Sequence, residues 1–224
     1  MKKELSEKQL EAKRLYSQIM EIDLTEVPVS YIDKYGKPQT HKCIMCNVNG
    51  IKYIQPSKLG RLNECANFFT LLEKKGCSFD NDYLYCRRGG NYQYRGGVQK
   101  LIRVSTLLRY KDELLRYLMW KNSYYGVEGL QRIFQLLEDD AIELPEITID
   151  KAIFYQSKNL YLERQILLQE DKADRREKEG RELLEEMKNE QQHREQPQEA
   201  DTLKDLVSKI EAMGWDVTLS LKPV

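Results

Sequence analysis

Apolar residues near the N-terminus recur at three- and four-residue steps, the spacing of a helix with one buried face. Ser6 and Gln9 have the spacing of a capping box, and Leu5 and Leu10 that of a hydrophobic staple. We therefore predict a helix from residue 6 to residue 22 that packs on its own core, the alternative being the seam of a dimer. Its apolar stripe consists of Leu5, Ala12, Leu15, Ile19 and Ile22.

A β-hairpin is predicted next, because two apolar-rich runs flank the pair Asn49-Gly50. Asn-Gly readily adopts the positive φ angles that a two-residue type I′ turn requires. The runs 42–48 and 51–55 are the two expected strands.

The middle of the chain alternates between helical and strand-like patterns. A helix starting at Pro56-Ser57 would bury a stripe and end at Gly76, the usual position of a C-terminal glycine. That stripe consists of Leu62, Cys65, Ala66, Phe69 and Leu72. Residues 83–87 and 98–104 resemble strands, and leucine-rich helical patterns follow around Leu114 and Leu130.

A long uninterrupted helix is predicted from Thr148 to about Gln192, since no proline interrupts this range. Its first half carries apolar residues, whereas residues 169–182 contain Ala173 as their only apolar residue apart from Gly180. A helix without an apolar face is not held by packing, so this part should project into solvent and be supported by charge pairs. The alternative is a helix that binds a partner.

The C-terminal residues form a separate pattern after a polar segment that contains Pro197. Thr202 and Asp205 resemble a second capping box, followed by an apolar helical stripe and Gly214. An alternating strand pattern then runs through residues 215–222. Such a short unit cannot bury its apolar face alone, so it should dock on the main domain or on another chain. The expected partner-binding residues are Leu206, Ile210, Trp215, Val217 and Leu219.

These patterns predict an α+β protein that is predominantly helical, with a small sheet packed by helices and a long charged helix near the C-terminus. The predicted organisation is a compact domain at 1–147, the long helix at 148–192, a linker at 193–200 and the helix-strand unit at 201–224.

Composition adds limits on compartment and chemistry. The 224 residues contain 36 basic and 36 acidic side chains, no apolar run of membrane-spanning length and no apolar leader. Five cysteines are an odd number, which favours free thiols and a reducing, cytoplasmic location. Two histidines leave little room for histidine-centred catalysis. We expect no cofactor and no membrane partner.

Cys43 and Cys46 have the C-x2-C spacing of a zinc knuckle, but no second such pair exists. If residues 42–48 form a regular strand, the two side chains point to opposite faces and cannot share a metal ion. A zinc-dependent enzyme or zinc-stabilised module is therefore the weakest of the functional hypotheses.

The most concentrated chemistry lies between Tyr83 and Lys111, where seven basic residues occur without an acidic one. Its glycine-rich centre interleaves arginines with tyrosines, so the cations could bind phosphates while the rings stack on unpaired bases. The candidate residues are Arg87, Arg88, Tyr92, Tyr94, Arg95, Lys100, Arg103, Arg109 and Lys111. The same pattern also suits a structural loop whose arginines pair with the acidic segment 138–146, or a site for an acidic protein.

The leading functional hypothesis is a non-enzymatic protein that binds RNA or DNA through residues 83–111. The alternative is an interaction subunit that binds a protein partner or forms a homo-oligomer through its C-terminal elements. No phosphate-binding loop or nucleophile motif favours an enzyme.

Overall fold

The computed structural model describes residues 5–59, 63–89, 97–121, 127–195 and 198–214, with only the helix backbone described within 190–204. The elements are α1 (Glu7–Gln18), β1 (Glu21–Ile22), β2 (Thr25–Ile32), β3 (Pro38–Val48), β4 (Ile51–Ile54), α2 (Glu64–Lys74), β5 (Tyr83–Arg88), β6 (Gln99–Arg103), α3 (Val104–Arg109), α4 (Lys111–Trp120), α5 (Val127–Glu138), β7 (Glu146–Ile147), α6 (Lys151–Glu195) and α7 (Gln198–Ala212). The predicted α+β class with a long C-terminal helix is confirmed. No helix in these ranges has the length and apolar character that crossing a membrane requires.

The predicted hairpin organises a mixed sheet of seven strands. Asn49 and Gly50 have φ angles of 51° and 76°, as a type I′ turn requires. Val48 pairs with Ile51, which sets the register of β3 against β4. The strand order is β1-β5-β6-β4-β3-β2, and β7 pairs with the end of β3.

Alternation along β3 divides the apolar residues between the two faces of this sheet. Cys43 and Met45 belong to the larger core, together with Phe69 of α2 and Leu114 of α4. Cys46 belongs to a smaller core on the other face, which includes Tyr53, Leu84 and Leu101. Both faces of the sheet are therefore covered.

Helix α1 packs against the first half of α6. Leu15 and Ile19 are buried beside Leu160. The Met20 N–H donates to the Ser157 hydroxyl over 3.0 Å, which joins the end of α1 to the same stretch of α6. These contacts explain why the first half of α6 carries apolar residues.

The start of α1 agrees with the sequence pattern, whereas its end does not. Both hydrogen bonds of the Ser6–Gln9 capping box are present, but Leu5 and Leu10 are half-exposed and form no buried staple. The helix ends at Gln18 because the chain then extends into β1, which pairs in parallel with β5. Ile22 is a buried residue of β1.

Strand β2 contains Pro28, and no element was predicted for its residues. Pro28 faces Lys42 of β3 in an antiparallel pair at the edge of the sheet. A proline cannot donate a ladder hydrogen bond, but an edge strand needs only one bonded side.

The described chain divides into two compact units, unit 1 at 1–169 and unit 2 at 170–224. The division falls inside α6, whereas the sequence placed it before the helix at residue 147. Ser157 and Leu160 of α6 contribute to unit 1, so the first half of this helix belongs with the sheet.

Unit 2 contains the charged half of α6 and the helix α7. Helix α6 continues to Glu195 and α7 begins at Gln198, which covers much of the predicted linker 193–200. Thr202 lies inside α7, so its prediction as the N-cap is wrong. The predicted strand at residues 215–222, including Trp215, Val217 and Leu219, falls outside the described residues.

Candidate nucleic-acid interface

The basic stretch 83–111 forms the strand pair β5–β6 and then α3. Its cations lie on both faces of the sheet, because neighbouring strand residues point in opposite directions. Arg87 shares a face with Tyr85 of the larger core, and Arg88 shares a face with Cys86 of the smaller core. Arg87 and Arg88 therefore do not contribute to one continuous surface.

Both of these arginines bind groups of the protein. Arg87 forms an ion pair with Glu21 at 3.1 Å and donates from Nε to the Ile19 carbonyl over 2.8 Å. Arg88 binds Glu26 at 2.9 Å, and its side chain is only 11% exposed. A guanidinium buried to this degree stabilises its carboxylate partner more than it attracts a solvent-borne phosphate.

Cations farther along the stretch are also paired. Lys100 binds Glu73 at 3.2 Å, with its ammonium 3.7 Å from the centre of the Tyr83 ring. Arg109 lies 3.7 Å from Asp82. Lys111 binds Glu138, and this hydrogen bond raises the pKa of the lysine.

The sequence suggested that the arginines of this stretch pair with the acidic segment 138–146. None of the described arginines does so, and the one described pair between this stretch and that segment is Lys111 with Glu138. The other partners are acids from α2, β1 and β2 and Asp82, the residue before β5. Arg103 instead lies beside Tyr53, and its Nε has no hydrogen-bond acceptor in the described part of the chain.

Tyr92, Tyr94 and Arg95 lie outside the described residues, so the centre of the predicted site has no described geometry. Gly97 is the first described residue after this segment, and it borders an open cavity of about 220 Å³ in unit 1. The cavity therefore lies directly beside the end of the glycine-rich segment. Helices α1 and α6 supply its other walls.

Two cations line this cavity, Lys13 of α1 and Arg164 of α6. Neither takes part in a salt bridge within the ranges that the structure describes. The Arg164 guanidinium lies 5.4 Å from the centre of the Tyr16 ring, and its Nε is buried without an acceptor there. Arg87 approaches the same ring at 5.8 Å. The cavity is thus lined by two cations that form no ion pair within 4 Å in the described ranges.

Charge is also distributed unequally between the two units. Unit 1 contains 26 basic and 21 acidic residues, whereas unit 2 contains 10 basic and 15 acidic residues. The zero net charge of the whole chain conceals this difference. An anionic ligand is attracted to unit 1 and repelled by unit 2.

The buried cysteines are divided between the two cores, with Cys43 and Cys65 in the larger core and Cys46 and Cys86 in the smaller one. Cys43 and Cys46 lie in the separate cores on the two faces of the sheet. Burial raises the pKa of Cys43, Cys46 and Cys65 to about 12, so these thiols are protonated and poor ligands. No group of three potential metal ligands occurs among the described residues.

Lys13 and Arg164 were absent from the residues predicted to bind nucleic acid. They are distant in the sequence, and each resembles an ordinary solvent-facing cation on a helix. Only the packing of α1 on α6 brings them together. No local signal could have identified the pair.

Comparison of the chain with models of protein families, with curated proteins and with solved structures found no match.

Proposed function

We propose that the protein binds single-stranded nucleic acid, with a backbone phosphate held in the cavity between α1 and α6. The observation that carries this proposal is the pair of cations without salt bridges, Lys13 and Arg164, at a cavity that borders the glycine-rich segment. The sequence places Tyr92, Tyr94 and Arg95 in the glycine-rich segment that ends at Gly97, and we expect these side chains to contact the same strand.

The cavity suits a phosphate in both size and chemistry. The cavity volume of about 220 Å³ is several times the roughly 30 Å³ that one water molecule occupies in the liquid. Arginine offers a planar set of donors that matches phosphate oxygens, and lysine adds a point charge. Gly97 has no side chain, and no atom of the described residues lies within 4 Å of a Cβ added there, so a ligand can approach the backbone closely.

A single strand is favoured over a duplex by the tyrosines of the adjoining segment. Unpaired bases stack on aromatic rings, and each such stack contributes about 1–3 kcal/mol. Bases inside a duplex are not available for this contact. The ion pairs of Arg87, Arg88, Lys100, Arg109 and Lys111 make these cations structural in the proposal.

Fluorescence anisotropy with single-stranded RNA, single-stranded DNA and duplex DNA tests the proposal at low and near-physiological salt. The test variant is Lys13→Gln with Arg164→Gln. We expect it to bind at least tenfold more weakly and to lower the salt slope by about 1.4, since each lost phosphate contact with a single strand removes about 0.7.

The matched control is Arg14→Gln with Arg116→Gln, which removes the same charge from exposed cations on α1 and α4 that pair with neighbours on their own helix. This control should bind as the unaltered protein does. An equal loss in both variants would mean that only net charge matters, and absence of binding at low salt would refute the proposal.

Replacing both Tyr92 and Tyr94 with leucine distinguishes nucleic acid from an acidic protein as the ligand. Loss of binding to single strands is expected if the rings stack on bases. Arg88 is not a suitable test residue, because its removal leaves the partly buried Glu26 without its 2.9 Å partner and so changes the fold locally.

A further inference from the structure

The cavity between α1 and α6 is small compared with pockets that enclose a whole ligand. Its volume of about 220 Å³ lies below the roughly 300–1,000 Å³ that is typical of pockets for drug-sized molecules. One phosphate group with part of its sugar is therefore the piece of a nucleotide that it can enclose. The base stays outside, so this cavity responds to charge rather than to base sequence.

The described walls of the cavity contribute two positive charges and no negative one. Lys13 of α1 and Arg164 of α6 are the cations, and none of the described residues that line the cavity is acidic. A carboxylate in the wall would repel an anion, and an anion bound here does not meet one. The charge of the lining thus favours a ligand group with up to two negative charges.

The acids next to these cations in the sequence act on a different arginine. Glu11 forms an ion pair with Arg14, and this hydrogen-bonded contact, with a weaker attraction from Glu163, raises the pKa of Arg14. Lys13 and Arg164 take part in no ion pair among the residues that the structure describes. Both cations are therefore available to a ligand.

An aromatic ring, rather than a carboxylate, holds Arg164 at the cavity. Its guanidinium lies 5.4 Å from the centre of the Tyr16 ring, within the range of cation–π attraction. Because the ring carries no net charge, this contact orients the guanidinium without neutralising it. Arg164 thus keeps its positive charge for an anion in the cavity.

We propose, as an extension of the proposed binding of single-stranded nucleic acid, that the cavity takes the terminal phosphate of the strand rather than a phosphate within it. A phosphate within a strand is a diester with one negative charge. A terminal phosphate is a monoester, which carries about −1.5 to −2 at pH 7. Two cations in the lining match the charge of the monoester and exceed that of the diester.

The size of the cavity and the types of its cations favour the same group. A phosphate within a strand is bonded to a sugar on each side, whereas a terminal phosphate is bonded on one side only and needs less space. The monoester also offers three acceptor oxygens. An arginine binds two phosphate oxygens side by side, and a lysine supplies a single point charge. Arg164 and Lys13 together therefore suit all three oxygens.

Fluorescence anisotropy of the full chain with one single-stranded sequence tests this inference, in whichever of RNA or DNA binds more tightly. The strand carries an internal label and has a 5′-phosphate, a 3′-phosphate or hydroxyls at both ends. A fourth strand without a terminal phosphate is two nucleotides longer, so that its total charge matches that of the phosphorylated strands. We expect at least one phosphorylated strand to bind tenfold or more tightly than both unphosphorylated strands.

Variants assign this preference to the cavity. Lys13→Gln with Arg164→Gln should bind the four strands with equal affinity, and Lys13→Gln alone should reduce the preference. Lys13 is exposed on α1, so its replacement leaves the packing of the helix unchanged. The matched control, Arg14→Gln with Arg116→Gln, should keep the full preference.

Equal affinity of the unaltered chain for all four strands, lost in Lys13→Gln with Arg164→Gln, would overturn the terminal-phosphate inference and leave the proposed function standing. A preference that survives in that double variant would also overturn the inference. No binding of any strand would refute both. A nucleoside monophosphate that competes as effectively as the phosphorylated strand would identify a free nucleotide as the ligand, which contradicts binding of a strand end.

Discussion

Units 1 and 2 differ in how far their apolar side chains are buried. Unit 1 buries them on both faces of a sheet, where Leu84, Leu101 and Leu107 have no solvent exposure. Unit 2 leaves Leu184 and Leu206 more than half exposed. Unit 1 is therefore stabilised by its own core, whereas the described residues of unit 2 supply little apolar packing.

The ion pairs of the two units also differ in whether they join different elements or neighbours on one helix. In unit 1 most of the described pairs join different elements, such as Arg88 of β5 with Glu26 of β2, and the pairs of Arg14 and Arg116 within their own helices are the exceptions. In unit 2 they join residues four apart on one helix, such as Arg175 with Asp171 at 2.8 Å and Arg181 with Glu177 at 3.6 Å. Pairs of this local kind each add only about 0.2–0.5 kcal/mol to a helix. They support helix formation but do not specify a tertiary arrangement.

The largest effect should come from truncating a core leucine of unit 1. Leu107→Ala leaves a cavity at a fully buried position and should lower the free energy of unfolding by about 2–5 kcal/mol. Leu184→Ala removes the same atoms from a site in unit 2 that is 59% exposed. Its effect on the unfolding of unit 1 should stay within about 0.5 kcal/mol, measured by urea denaturation. Equal effects would contradict the contrast between the units.

Alkaline pH should destabilise unit 1 through its buried thiols. Burial raises the pKa of Cys43, Cys46 and Cys65 to about 12, so only the unfolded chain loses these protons as the pH rises past its ordinary thiol pKa. The contribution of these thiols to the free energy of unfolding is intact below the thiol pKa of the unfolded chain. It decreases above that pKa, by roughly 1–2 kcal/mol per thiol at pH 10.

Urea midpoints at several pH values between 7 and 10 measure this loss. Cys46→Val removes one titrating group at similar volume, so its stability should decrease less steeply with pH. A variant with the same pH dependence as the unaltered chain would show that Cys46 does not contribute.

The smallest contrast concerns the two capping boxes suggested by the sequence. Ser6 caps α1, so Ser6→Ala should lower stability by about 1 kcal/mol. Thr202 lies inside α7, where alanine is the better helix former, so Thr202→Ala should leave helicity unchanged or raise it slightly. Urea denaturation measures the first change and far-ultraviolet circular dichroism the second. A loss of helicity in Thr202→Ala would contradict this prediction and indicate that Thr202 caps a helix.

Local signals predicted the elements whose conformation depends on nearby residues. Asn49-Gly50 predicted the hairpin, and Ser6 with Gln9 predicted the start of α1, because both involve bonds within a few residues. The end of α1 was not predictable in this way. It depends on β1 pairing with β5, a contact between residues far apart in the sequence.

The candidate site was predicted only in part for the same reason. The sequence identified seven cations between Tyr83 and Lys111 but not the acids that pair with them. Glu26 and Glu73 reach Arg88 and Lys100 through the sheet and through α2. The cavity cations Lys13 and Arg164 come from helices near the beginning and the end of the unit 1 sequence.

By itself, the sequence determined the α+β class, the hairpin turn, the long helix and its change from apolar to charged residues, because these follow from short-range periodicity and turn chemistry. It also determined that Cys43 and Cys46 point to opposite faces of a strand. Tertiary structure alone decided which charges are paired, where α6 passes from unit 1 into unit 2, and which cations line a cavity. Those properties depend on distances between residues that are remote along the chain, which no local pattern encodes.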